Sequence, residues 1–142
     1  MQGFKAMAFA AAMAGTIMVK TATAQEVLPP DPGIENTIQS QIDAFLADDF
    51  STAFGFASPA IQGLFGTPER FGAMVRNGYP MVWRPDSVEF GDLRAIAGGL
   101  YQQVIVTDAQ GTLHYLEYRM ANMDGTWRIS GVQIIEAPGV NA

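Results

Sequence analysis

The spacing of apolar residues divides the chain in two, with helical periodicity through Gly78 and alternation from Ser87 onward. Ile34, Ile38, Ile42, Phe45 and Leu46 recur at helical spacing while Glu35, Gln39 and Asp43 face the other way. They predict a first helix ending near Asp48. Asp49 stands where it can cap a short second helix carrying Phe50, Phe54 and Phe56. Ser58-Pro59 and Thr67-Pro68-Glu69 each set a hydroxyl cap before a proline, the residue best suited to a first helical position. The last of these helices carries Phe71, Met74 and Val75 and stops at Gly78. Tyr79-Pro80 then favours extended chain.

Beyond Ser87, three glycine turns separate runs rich in Val, Ile, Tyr and Thr: Gly98-Gly99, Asp108 to Gly111, and Asp124-Gly125. The order predicts an α+β fold, with N-terminal helices packed on a curved four-stranded antiparallel sheet, a cone-like roll. Turn chemistry sets the register. A type I′ turn at Asp124-Gly125 pairs Met123 with Thr126, and the ladder then places Met120 opposite Ile129, Tyr118 opposite Gly131 and Leu116 opposite Gln133. A type I turn with a glycine bulge at Asp108 to Gly111 places Val106 opposite His114, Val104 opposite Leu116 and Gln102 opposite Tyr118. Both ladders bury one face: Leu100, Gln102, Val104, Val106, His114, Leu116, Tyr118, Met120, Trp127, Ile129, Gly131, Gln133 and Ile135. A slip of one residue would exchange the faces.

The N-terminus changes the setting. Met1 and Lys5 precede an uncharged apolar run, Ala6 to Val19, and then Ala22-Thr23-Ala24, a small-x-small cleavage site. Residues 1–24 therefore read as a cleavable signal peptide, too short to span a membrane, which needs about 20 apolar residues. Gln25 to Gly33 (QEVLPPDPG) reads as a flexible leader, and residues 34–138 as one α+β domain. The expected location is periplasmic or secreted. Loss of Lys5 and Lys20 would move the formal charge from −6 to −8 and leave arginine as the only side-chain cation. So acidic a chain does not suit nucleic acid or an anionic membrane surface. There is no cysteine, hence no disulfide staple, and the core alone must hold the fold.

Candidate chemistry is sparse. A single histidine and no cysteine exclude sites of several histidines or thiolates, and no phosphate loop or nucleophile elbow is present. No catalytic residue, metal or cofactor is expected. The sharper feature is a polar notch: Tyr118 between Gln102 and Gly131, with Gln133 diagonal to it. Glycine opposite tyrosine leaves room, and amides on an apolar face require partners. Two readings stay open, a ligand pocket and an ordinary core whose polar groups satisfy one another. His114 falls at the rim of the same face. Tyr79, Trp83 and Arg84 stand where helices hand over to the sheet, which fits a pocket mouth and equally fits a tether between the two layers. The opposite sheet face gathers Gln103, Glu117, Arg119, Arg128 and Ser130 with Ile105, Leu113, Tyr115, Val132 and Ile134, a surface that could serve a homodimer.

Five segments carry a resemblance: Ile34 to Phe45 (IENTIQSQIDAF), Ala53 to Pro59 (AFGFASP), Phe65 to Phe71 (FGTPERF), Met74 to Pro80 (MVRNGYP) and Gly125 to Val132 (GTWRISGV). Together they resemble a family of short secreted proteins of Gram-negative bacteria known as a domain of unknown function. The order of elements is also similar to the nuclear-transport-factor-2-like superfamily, which includes ketosteroid isomerase and polyketide cyclases. That resemblance implies a pocket between helices and sheet and dimers through the sheet face, but no particular activity. Its isomerase-like members need a cavity aspartate, and this register offers none. The expectation is an exported domain that binds a small apolar ligand or a periplasmic protein. The alternative is an isomerase- or cyclase-like enzyme using the same pocket.

Overall fold

The computed structural model describes residues 25–136, so the signal-peptide expectation for residues 1–24 lies outside the described residues. The expected leader is instead structured. Gln25–Leu28 forms strand β1 and pairs antiparallel with β2 (Ser87–Ile96), Gln25 facing Ile96 and Leu28 facing Leu93. Asp31 caps α1 (Pro32–Leu46), its carboxylate accepting from the Gly33 and Ile34 amides, so the helix begins two residues earlier than the apolar stripe suggests. That stripe is real: Ile34, Ile38, Ile42 and Phe45 are fully buried, each a gain of about 1.5–3 kcal/mol.

Three short helices follow as the caps predict. Asp49 accepts from the Thr52 amide at α2 (Phe50–Gly55), Ser58 from Ile61 at α3 (Pro59–Phe65), and Thr67 from Arg70 at α4 (Pro68–Gly78). Tyr79-Pro80 does not give extended chain. Tyr79 breaks the helix direction at φ −136°, and Pro80 then starts a single turn, α5 (Pro80–Trp83). Proline has no amide to lose at a first helical position.

The sheet is open, with five strands in the order β1-β2-β3-β4-β5, rather than a four-stranded roll. β3 spans Gly99–Thr107, β4 Leu113–Met123 and β5 Thr126–Ile135. The first hairpin turns on Ala97-Gly98, at φ 49° and 84°, and not on Gly98-Gly99. Asp124-Gly125, at 55° and 86°, is the expected type I′ turn. The β3–β4 register is as expected, with Val106 opposite His114 and Gln102 opposite Tyr118.

The β4–β5 register holds only to Ile129. A bulge between Arg119 and Met120 inserts one residue, so Tyr118 faces Val132 and Leu116 faces Ile134. Everything beyond it changes face. Val132 turns toward the helices and Ile134 to the same face, where it stays 52% exposed, while Gly131, Gln133 and Ile135 turn to the outer face. The bulge accompanies an added pairing at the sheet edge. Ser58 N donates to Ile129 O at 2.8 Å and Ile129 N to Phe56 O at 2.9 Å, forming a parallel bridge with Ala57.

Candidate functional site

The helices cover one sheet face incompletely. Between α1, α3, α4, α5 and the β4–β5 end of the sheet lies a cleft of about 400 Å³. Its walls are Phe45, Ala57, Ile61, Leu64, Phe65, Phe71, Met74, Val75, Val82, Ile129, Gly131 and Val132, with Gln41, Tyr79 and Tyr118 as the polar side chains. No charged residue lines it. Phe71 sits at the centre of an aromatic cluster with Phe45, Phe54 and Phe65, ring centroids 5.3 to 5.9 Å away. These rings make the wall stiff and apolar.

The three polar side chains differ in what they do. Gln41 Nε2 donates to Ala53 O at 3.1 Å and ties α1 to α2. Tyr79 donates its hydroxyl to Val132 O at 3.2 Å and ties the end of α4 to the edge strand. Tyr118 is fully buried, and its hydroxyl has no hydrogen-bond partner. Burial, with a smaller contribution from the nearby Tyr79 phenol, raises its pKa far above the usual tyrosine value. It therefore remains a neutral O–H donor.

The other expected site residues lie elsewhere. Gln102 is buried beside Tyr118 but does not line the cleft; its Nε2 donates to Gly91 O (3.0 Å) and Gln103 O (2.9 Å). There it steadies the β2 bulge between Phe90 and Leu93. Gln133 is exposed on the outer face, bonded to Glu117 at 3.0 Å, because the β5 bulge has turned it over. Gly131 borders the cleft through its backbone, and a side chain there would point toward Arg119. His114 contacts Asp108 at 2.8 Å in the β3–β4 hairpin. Trp83 and Arg84 both bind Asp48 and form a clasp at the end of α1 rather than a mouth. Tyr79 and Tyr118 alone among the expected residues bring side chains to the cleft.

Sequence reasoning missed most of the walls. Gln41 had a signal, since it lies on the buried side of α1 between Ile38 and Phe45. The apolar run of α3 had another: none of its residues is buried, and Leu64 is 74% exposed at the rim.

On the outer face, a smaller groove of about 310 Å³ runs over Tyr101, Glu117, Arg119, Ser130 and Gln133. The apolar residues expected there are reduced to Ile105, Leu113 and Tyr115, joined by Ile135, and the row Gln103, Glu117 and Gln133 lies beside them. Among the described residues no helix is long and apolar enough to cross a membrane. No group of three or more His, Cys, Asp or Glu residues among them could hold a metal ion.

Compared with known families, residues 28–142 match the model of one described as a domain of unknown function, DUF4864. No curated protein matches the chain.

Proposed function

We propose, for a chain that belongs to the DUF4864 family of unknown function, that it is an exported binding domain which holds a small, largely apolar molecule between helices and sheet. The observation that carries this reading is the uncharged cleft of about 400 Å³ bordered by Tyr118, whose buried hydroxyl has no partner. Sites for small molecules are concave, mostly apolar and furnished with few polar groups, and lie in this size range. Export is supported by the pattern of residues 1–24. The cleft lining holds no carboxylate or histidine, which favours binding over the acid–base chemistry of an isomerase or cyclase.

The test is titration with N-phenyl-1-naphthylamine, a neutral dye that fluoresces in apolar surroundings. Saturable enhancement is expected at one site per chain. Ile61→Trp, on the rim and only half-buried, should fill the cleft, keep the fold and weaken the dye at least tenfold. Leu113→Ala, at a residue exposed on the outer face and outside the cleft lining, should leave dye binding within about twofold. Equal binding to the wild type and Ile61→Trp would remove the cleft from consideration.

A further inference from the structure

Resting on that binding reading, we infer that the ligand is an elongated, uncharged molecule, mostly hydrocarbon, which presents one neutral hydrogen-bond acceptor, such as an ester carbonyl, to the Tyr118 hydroxyl. The walls argue for neutrality. A carboxylate, phosphate or ammonium group drawn into this cleft would shed its water among apolar side chains and meet no counterion, since no charged residue lines it.

The argument for an acceptor comes from comparing the donors of the three polar side chains. The amide nitrogen of Gln41 is bound to Ala53 O, and the Tyr79 hydroxyl to Val132 O. Tyr118 alone of the three has made no bond, although it is completely buried. Buried hydroxyls almost always find a partner, so an unpaired one on a side chain that borders the cleft points to a partner that comes from outside the chain. The other unpaired buried atom, Gln102 Oε1, belongs to a residue that does not border the cleft. Elongation follows from the rim. Ile61, Leu64 and Phe65 continue the apolar lining outward along α3, and Leu64 remains mostly exposed there. A chain that enters acceptor-first would leave its tail against them.

Three competitors of matched length separate the possibilities: methyl dodecanoate, dodecane and dodecanoate, each displacing the naphthylamine dye below its aggregation limit. The ester should displace at about five- to tenfold lower concentration than the alkane, the difference one hydrogen bond makes, and at least tenfold lower than the carboxylate. In Tyr118→Phe, ester and alkane should fall within twofold of each other. Dye binding with no ester advantage, or an ester advantage that survives Tyr118→Phe, overturns this inference alone. A carboxylate that competes as well as the ester overturns neutrality and with it the inference. Absence of dye binding overturns the cleft reading as well. The wild-type ranking decides the matter by itself should Tyr118→Phe not fold.

Discussion

Asp48 joins the end of α1 to the end of α5 through one carboxylate. It accepts from Trp83 Nε1 at 2.9 Å and takes both oxygens to Arg84 at 2.8 and 2.9 Å. Arg84 also donates to Phe45 O, which already accepts from the Asp48 amide at the end of α1, and stacks over the Trp83 ring at 4.2 Å. The Trp83 and Arg84 bonds hold the Asp48 carboxyl below the usual aspartate range. Asp108, bound by His114 and the Thr112 amide, is lowered too, as is Asp49 by Thr52. A pKa depressed by folding gives stability that is present above the unfolded value, about 3.9, and is lost as pH falls through the folded value. Melting temperature should therefore be flat from pH 7 to 5 and drop below pH 4. Asp48→Asn should melt lower than wild type at pH 6, with a gap that narrows by pH 3. A constant gap, read by circular dichroism, would show that the carboxylate charge is not what the clasp uses. The boundary position of Trp83 and Arg84 was legible in the sequence, although the tether expected there joins helices to sheet and the clasp joins α5 to the end of α1. Their partner was not, because Asp48 reads locally as a helix stop.

Elements show the same division between local and distant causes. The helix caps and the turns at Asp108 to Gly111 and Asp124-Gly125 were legible, because a few adjacent residues decide them. The β5 bulge was not. It accompanies a bridge from Ala57 to Ile129, and nothing between Thr126 and Ile135 announces a contact from the α2–α3 link. One misplaced residue moved Gly131 and Gln133 from the expected notch to the other face, while Tyr118, fixed by the β3–β4 register, kept its place. Packing between α2 and α4 depends on another site of close approach. A Cβ at Gly72 would lie 2.7 Å from the Phe50 ring. Gly72→Ala adds about 1 kcal/mol of helix propensity, yet overpacking of this kind costs about 1–3 kcal/mol. A net loss of about 1 kcal/mol is expected in urea unfolding; a net gain would mean that Phe50 swings aside freely.

At the scale of the molecule, the helices-then-strands order was legible from periodicity alone, and so was a single covered sheet face. The fifth strand was not: β1 has four residues, three of them exposed, and a proline pair follows. Its pairing has a consequence for the order of assembly. Strands β2 to β5 close one after another through short turns, whereas Gln25 must find Ile96 across half of the chain. Contacts so far apart in sequence are formed late, because loop closure must precede their reward. Deleting Gln25–Leu28 should therefore leave the refolding rate within about twofold while speeding unfolding several-fold, which stopped-flow kinetics in urea would show. A large slowing of refolding would place β1 in the nucleus instead. On the proposed cut after Ala24, the strand that docks last is also the one next to the scissile bond. If the chain is exported and cut there, a late-docking β1 leaves that bond open to a peptidase while the rest of the domain takes shape, so that processing and folding need not compete.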